Sequence, residues 1–233
     1  MPRILTLMAL VLMLAAAGCG GGNDDEKDKA TTTATTEPAA AAAEETDAAG
    51  CVIVEAPEPR GPGDEEKPPA KLSGKAYTVT LKTNCGDIVI ALDVKRAPKT
   101  AASFASLTDS GFFDGLSFHR VLADFVIQGG DPLGNGQGGP GYSVVEKPPN
   151  DLRYTRGVVA MAKAVVDPSG ASGSQFFIVT GEDTGLTPDY ALVGKVKSGF
   201  GAINKIITQP VDGPQGVPLN PVVIETATLE PAL

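Results

Sequence analysis

The sequence FHRV at residues 118–121, followed by FVIQGGD at residues 125–131, alternates in the manner of a β-strand. Arg120 and Gln128 are eight positions apart, and side chains at even spacing along a strand share a face. A second stretch, SQFFIV at residues 174–179, adds another glutamine and another phenylalanine at even spacing. The two stretches predict a surface with amides, aromatic rings and one permanent cation, but no nucleophile beside a base. Such a surface suits a reaction that needs binding and polarisation without breaking a covalent bond.

Two further motifs, GVVAMA at residues 157–162 and YALVGKV at residues 190–196, follow in the same order as in a known family. Together the four stretches resemble the cyclophilin family of peptidyl-prolyl isomerases, and the resemblance covers roughly residues 76 to 230. It implies an all-β fold, namely a closed eight-stranded antiparallel barrel with a helix over each open end.

The local pattern also predicts a mostly β domain. Residues 77–81 and 88–92 alternate on either side of Asn84-Cys85-Gly86, which predicts a hairpin. Helices are predicted over residues 98–110, because proline suits a first helical turn, and over residues 200–206. Further strands are expected near residues 117–121, 125–129, 156–162, 174–180, 190–196 and 221–229.

The family resemblance implies peptidyl-prolyl cis-trans isomerase activity (EC 5.2.1.8), with no cofactor and no metal. Arg120 is expected to donate to the prolyl nitrogen, with Gln128 steadying that arginine or a substrate carbonyl, and Phe125 beside them. Gln175 is expected to contact the substrate backbone. The remaining residues expected to line the hollow for the proline ring, or its rim, are Val126, Ala162, Lys163, Ala164, Phe177, Leu186 and Tyr190.

The sequence departs from the family pattern at three of these places. It has no tryptophan, and Gly185 precedes Leu186 where many family members carry one. Tyr190 stands at a position that is often histidine, and Lys163 replaces a usual asparagine. We expect the first change to affect cyclosporin binding and the last to alter preference for residues that flank the proline.

Other site classes fit the sequence poorly. Residues 134–139 match G-x-G-x-x-G formally, but Asp131-Pro132 precedes them and Pro140-Gly141 follows, so no helix can begin where a pyrophosphate would bind. His119 is the only histidine, which leaves too few groups for a metal site or a Ser-His-Asp triad. We expect His119 to be a packed, hydrogen-bonded structural residue. A net charge of −9 without a basic stripe argues against nucleic-acid binding.

The N-terminal part predicts export. Residues 1–18 have a positive start and a short apolar run, as in a signal peptide, and Ala16-Ala17-Gly18 leads directly into Cys19. Cys19 is therefore a predicted lipidation site that anchors the chain to the cell membrane outside the cytoplasm, with ordinary secretion as the alternative. Residues 19–75 are acidic, proline-rich and low in complexity, so we expect a disordered linker. Residues 76–233 form the predicted isomerase domain.

The remaining cysteines leave two readings open. Cys51 and Cys85 either form a disulfide, as an oxidising compartment permits, or remain independent thiols. The expected partners are proline-containing unfolded or extended polypeptides, bound by a monomer. Two alternatives to the enzyme remain: a non-catalytic peptide-binding or holdase module that uses the same cleft, and a carbohydrate-binding sandwich, which the lack of tryptophan disfavours.

Overall fold

The computed structural model describes residues 44–68, 72 and 76–232. The predicted signal peptide, Cys19 and the first part of the predicted linker lie outside the described residues. Residues 42–233 form one compact unit. Within the part of the chain that is described, no helix is both long enough and apolar enough to cross a bilayer.

The domain is all-β with two helices, α1 (Pro98–Asp109) and α2 (Phe200–Ile207). The hairpin and both helices predicted from the sequence are confirmed. The strands are β1 (Tyr77–Thr83), β2 (Gly86–Leu92), β3 (Leu116–Ser117), β4 (Arg120–Leu122), β5 (Val126–Gly129), β6 (Val144–Val145), β7 (Val158–Met161), β8 (Ala171–Ser172), β9 (Phe176–Val179), β10 (Leu192–Ser198), β11 (Val211–Asp212), β12 (Val217–Pro218) and β13 (Val223–Pro231).

The main sheet is an open half-barrel, so the predicted closed eight-stranded barrel is wrong. Nine strands pair in the order β3-β13-β1-β2-β10-β7-β9-β5-β4, which leaves β3 and β4 as edges. These two strands are consecutive in the chain, but the backbone between them and within β4 bonds to other partners. The Phe118 N–H donates to the Val222 carbonyl at 2.8 Å, and the Val121 N–H donates to the Gly216 carbonyl at 2.7 Å. The ladder is therefore interrupted where closure would require β3 to pair with β4.

Both faces of the sheet carry buried apolar side chains. The side chains on one face belong to a main core, and those on the other face form a second cluster. Along β9, Phe176 and Ile178 belong to the main core, whereas Phe177 and Val179 belong to the second cluster. This alternation follows from the period of two in a strand. In the main core, the ring of Phe176 meets that of Phe104 from α1 edge to face, with centroids 5.3 Å apart. The second cluster carries the surface described in the next section.

Helix α1 begins at Pro98, whose missing N–H leaves no unmet donor in a first turn. A distant carboxylate satisfies the next backbone donors. The Glu146 carboxylate accepts the N–H groups of Lys99 at 3.0 Å and Thr100 at 2.7 Å. The segment that leads into β7 is thus tied to the start of α1 by side-chain capping.

Residues 44–68, which we call the strap, lie against the domain, although the sequence predicts a disordered linker over residues 19–75. Cys51 is buried and forms a disulfide with Cys85 in the turn between β1 and β2. Beside it, the Val52 N–H donates to the Asn84 carbonyl at 2.8 Å, and the Asn84 side chain donates to the Val52 carbonyl at 2.7 Å. Composition alone missed this order because a covalent link and backbone hydrogen bonds, rather than apolar burial, hold the segment.

Loss of the disulfide should destabilise the domain. The two cysteines are 34 positions apart, and closing a loop of that size stabilises a protein by about 3–4 kcal/mol. Replacing both cysteines by alanine should therefore lower the urea midpoint by the corresponding amount. Reduction of the wild type should produce a similar shift and leave the double variant unaffected; equal midpoints for the oxidised wild type and the double variant would contradict the structural role.

Candidate active site

The register of three strands brings the predicted polar and aromatic residues into one row. Arg120 on β4 lies opposite Gln128 on β5, and Gln128 lies opposite Phe177 on β9. Directly paired residues in an antiparallel sheet have neighbouring side chains on the same face. The pairing of β4 with β5 continues across the turn at Ala123-Asp124, and this cross-strand register, rather than even spacing along one strand, places Arg120 and Gln128 side by side.

This row borders a hollow of about 270 Å³. The hollow is the apolar surface of the second cluster with polar groups along its edge. Its lining consists of Arg120, Phe125, Val126, Gln128, Ala162, Lys163, Phe177, Leu186 and Tyr190. Of the residues predicted for the site, Ala164 and Gln175 instead line a neighbouring groove, the side groove, which shares Gln128, Ala162 and Lys163 with the hollow.

Arg120 is half-buried and has few hydrogen-bond partners. Its Nη1 lies 3.5 Å from Oε1 of Gln128, at the outer limit of a hydrogen bond, and its guanidinium carbon lies 5.9 Å from the centre of the Phe125 ring. Its Nε is buried and has no partner among the described residues. Buried donors are rarely left unpaired, and an exception calls for a functional explanation. The described residues therefore use few of the donors of the guanidinium at the hollow.

Two glutamines connect Arg120 to the backbone. Nε2 of Gln128 donates to Oε1 of Gln175 at 3.0 Å, and Nε2 of Gln175 donates to the Gly138 carbonyl at 2.9 Å. Each amide therefore points its oxygen toward Arg120 and its nitrogen toward Gly138. This amide relay holds Oε1 of Gln128 in place as an acceptor for the guanidinium.

Tyr154, which the sequence analysis did not identify, supports the aromatic wall of the hollow. Its hydroxyl donates to the Tyr190 carbonyl at 2.6 Å and accepts the Tyr190 N–H at 2.9 Å. Burial raises the pKa of Tyr154 to about 12, an effect that its hydrogen bonds only partly offset. The Tyr190 ring then meets Phe177 edge to face, with centroids 5.5 Å apart. One buried hydroxyl therefore fixes the backbone of a residue that lines the hollow.

Lys163 has an acidic partner that the sequence analysis also missed. Its Nζ lies 2.8 Å from Oδ2 of Asp189, and its side chain is only 5% exposed. The hydrogen bond from Lys163 lowers the pKa of the Asp189 carboxyl. Nζ also lies 5.6 Å from the centre of the Tyr190 ring. Lys163 therefore forms a rigid part of the rim rather than a free surface cation, and only a long-range contact reveals this.

His119 differs from its predicted role. It is partly buried, but its Nδ1 has no hydrogen-bond partner within the described residues, so the expected hydrogen-bonded structural histidine is wrong in that respect. Burial lowers the pKa of His119, nearby Arg120 adds to the effect, and Asp131 opposes it. The imidazole is therefore neutral near pH 7. Among residues 44–68, 72 and 76–232, no three His, Cys, Asp or Glu side chains are grouped to hold a metal ion.

The glycine-rich loop, residues 131–141, forms one wall of the side groove, a space of about 620 Å³. The buried Asp131 carboxylate organises this loop by accepting the N–H groups of Leu133 at 2.8 Å and Asn135 at 3.0 Å. No helix follows the G-x-G-x-x-G pattern, which agrees with the rejection of a dinucleotide site. The loop backbone instead faces an open groove beside the hollow.

An arginine and an amide relay beside an apolar hollow, on an open half-barrel with two helices, define a peptide-binding site of isomerase type. A family model described as cyclophilin type peptidyl-prolyl cis-trans isomerase/CLD matches residues 78–229. Peptidyl-prolyl cis-trans isomerase cypE from Dictyostelium discoideum is 41% identical over 133 residues, which cover 55% of this chain and 83% of that protein. Peptidyl-prolyl cis-trans isomerase B from Streptomyces anulatus is 38% identical over 169 residues, covering 65% and 95%.

A comparison with solved structures gives the same family. A cyclophilin type peptidyl-prolyl cis-trans isomerase from Cryptosporidium parvum superimposes with a TM-score of 0.61 and 32% identity, covering 66% of this chain and 98% of that chain. That protein was crystallised in the presence of the dipeptide Ala-Pro. The chain therefore belongs to the cyclophilin-type peptidyl-prolyl cis-trans isomerases, an enzyme class numbered EC 5.2.1.8.

Tyr154→Phe should lower the free energy of unfolding by about 1–3 kcal/mol, because two backbone groups of Tyr190 lose their buried partner.

The same substitution should also alter how the free energy of unfolding depends on alkaline pH. A tyrosine whose folded pKa is about 12 contributes stability that is complete below its unfolded pKa of about 10 and is lost as pH rises toward 12. Urea unfolding between these pH values should show a smaller loss in Tyr154→Phe, where Tyr142 still has a raised pKa, than in the wild type and in Tyr77→Phe; equal slopes for all three would contradict it.

Proposed function

We propose that this enzyme accelerates rotation about X–Pro bonds in exported polypeptides, and that Arg120 does so by donating to the prolyl nitrogen. The observation that carries the proposal is the half-buried guanidinium at the edge of an apolar hollow, with its buried Nε unpaired by any described residue. A structural arginine in such a place would be expected to use its donors on protein acceptors. This one keeps them available beside a space lined with aromatic and aliphatic groups.

The chemistry follows from the electronic structure of the amide. Resonance between nitrogen and carbonyl opposes rotation with a barrier of about 18–20 kcal/mol. In the twisted transition state the prolyl nitrogen regains its lone pair and becomes pyramidal, so it can accept a hydrogen bond that the planar ground state cannot. A donor fixed at that nitrogen binds the transition state better than the substrate, which is the requirement for catalysis. Arginine suits the role because its charge does not titrate in proteins.

The hollow would hold the proline ring through apolar contact. Val126 and Phe177 form its buried floor, while Phe125 and Leu186 are partly exposed at its sides. These contacts need no charge on the substrate, so the site would accept many sequences around proline. Tyr190 closes the hollow on the side of the Lys163 rim.

The polar edge would align the substrate. Gln128 is placed to steady Arg120 or to meet a substrate carbonyl, since it lies between Arg120 and Gln175. Gln175 uses one amide hydrogen on the Gly138 carbonyl and retains a second for a substrate backbone. Ala162 and Ala164 would contribute their main chain beside Lys163, along the border of hollow and side groove.

Variants that lack the Arg120 guanidinium distinguish its role in catalysis from a role in peptide binding. Arg120→Ala should lower kcat/KM for isomerisation of a proline peptide by about 100-fold or more, the usual effect of losing one preorganised donor at a transition state. Arg120→Lys should restore little, since lysine lacks the planar fork. Arg96→Ala is the matched control, because Arg96 is a surface residue paired with Asp151.

The holdase alternative predicts a different outcome for the same variants. If Arg120→Ala isomerises peptides as fast as the wild type and binds them equally well, the arginine mechanism is refuted. If neither the wild type nor any variant isomerises the peptide, although all of them bind it, the result would favour a non-catalytic peptide-binding module. No observation on the site itself favours that module, because a pure binder has no need for an underpaired cation beside the proline hollow.

We further propose that the chain acts outside the cytoplasm as a lipoprotein, tethered to the cell membrane through Cys19. Support comes from the apolar N-terminal run that leads into Ala16-Ala17-Gly18-Cys19, and from the Cys51–Cys85 disulfide, a bond typical of oxidising compartments. Ordinary secretion is the alternative. The clients would then be exported polypeptides whose X–Pro bonds exchange only over about tens to hundreds of seconds when uncatalysed.

The tether has a direct test. Mass analysis of the protein purified from membranes should show an N-terminus at Cys19 with added acyl mass, and Cys19→Ser should appear in the soluble extracytoplasmic fraction. A mature N-terminus at another residue without acyl mass would rule the tether out and leave secretion.

A further inference from the structure

The strap contacts the glycine-rich loop through three backbone hydrogen bonds. The N–H of Arg60 donates to the Pro132 carbonyl at 2.7 Å, near the beginning of the loop. Two more bonds reach its end: the N–H of Gly63 donates to the Gly139 carbonyl at 3.1 Å and that of Glu65 to the Pro140 carbonyl at 3.0 Å. The strap therefore contacts the loop near both of its ends.

The strap is fixed to the domain independently of this loop. The Arg60 guanidinium donates to the Phe112 carbonyl and lies over the Phe112 ring, 5.6 Å from its centre. Earlier in the strap, the disulfide at Cys51 joins it covalently to the turn after β1. Because the strap has its own attachments, it can act as a support for the loop rather than being carried by it.

The Asp131 carboxylate holds the first part of the loop through its backbone N–H groups, and the strap also bonds to the part that follows. Gly134 and Gly136 have positive φ angles of 67° and 85°, and a Cβ added at either would meet no atom within 4 Å, so these positions have little packing. Glycine backbones lose more conformational freedom on ordering than any other residue. On the groove side the loop is held through the Gly138 carbonyl, which ends the amide relay to Arg120. The strap bonds at Gly139 and Pro140 directly follow that carbonyl.

We propose that residues 60–65 of the strap are a positioning element for the side groove, and this rests on the isomerase function proposed above. They hold the glycine-rich loop at the distance at which its backbone contacts the part of a polypeptide that flanks the bound proline. The strap thus sets affinity for extended substrates. The apolar walls of the hollow come from β5, β9 and the segment around Leu186 and Tyr190, so a substrate that fills only the hollow is served without the strap.

The chain offers a matched pair of glycines to test this. A Cβ on Gly63 would lie 2.8 Å from Cα of Pro140 and 3.0 Å from the Gly139 carbonyl oxygen, both backbone atoms that cannot rotate away. A Cβ on Gly61 would meet nothing within 4 Å. Neither glycine has a positive φ, so alanine at either position is free of backbone strain. Gly63→Ala therefore wedges the strap from the loop, whereas Gly61→Ala leaves it in place.

The experiment compares these variants of the full-length protein on two kinds of peptide. One peptide carries little beyond a blocked Ala-Pro unit, and the others extend it by several residues on one side or the other. Gly63→Ala should raise KM for a peptide that reaches the side groove by about 3- to 10-fold, the effect of about one or two hydrogen bonds. Its kcat, and its KM for the short peptide, should match those of Gly61→Ala, because the Gln175 side chain holds the Gly138 carbonyl without the strap. A variant that was merely less stable would lose activity equally on all peptides.

A second measurement does not depend on catalysis. Hydrogen exchange of the amides in residues 134–141 should be faster in Gly63→Ala than in Gly61→Ala by about 3- to 10-fold. Arg60→Ala, which removes an attachment without a steric clash, should shift exchange and KM in the same direction. Equal loop exchange, or equal KM for every extended peptide, in Gly63→Ala and Gly61→Ala overturns the proposal. Failure of the isomerase function itself would appear separately, as an absence of activity in the wild type with the exchange difference intact.

Discussion

The site depends on keeping a permanently charged guanidinium half-buried with too few acceptors. Arg120 pays for part of its desolvation with one long hydrogen bond to Gln128 and with the face of Phe125. Arginine does not lose its proton at accessible pH, so it cannot lower the cost of burying its charge by becoming neutral, as a buried lysine can. The folded chain therefore leaves donors of this guanidinium unused at the edge of the hollow.

The surrounding structure holds that cation and its neighbours in position. The cross-strand pairing of β4, β5 and β9 fixes the row of Arg120, Gln128 and Phe177, and the amide relay passes the constraint to Gly138. Tyr154 and the Lys163–Asp189 pair hold the opposite rim. The strap contacts the glycine-rich loop, which lines the side groove. Preorganisation of this kind lets the donor act without rearranging at the moment of reaction.

The pattern of the sequence predicted structural features that depend on neighbouring residues. It missed features that depend on contacts between segments far apart in the chain. The hairpin, both helices and the expected place of Phe177 at the hollow followed from periodicity, proline placement and the resemblance. The open edge between β3 and β4 did not, because it depends on hydrogen bonds to segments about a hundred positions away. For the same reason no local pattern pointed to Tyr154 or Asp189, and composition misjudged the strap, whose order comes from a disulfide rather than from apolar burial.

The most direct test of the account is nuclear magnetic resonance of the Arg120 side chain during titration with a peptide that contains one X–Pro bond. The Nε–H signal of Arg120 should shift saturably, with the same midpoint at which exchange between the cis and trans signals of the peptide becomes fast. The shift should be larger than that of any arginine outside the hollow. Catalysed exchange with an unperturbed Arg120 signal would contradict the claim that this guanidinium acts on the prolyl nitrogen.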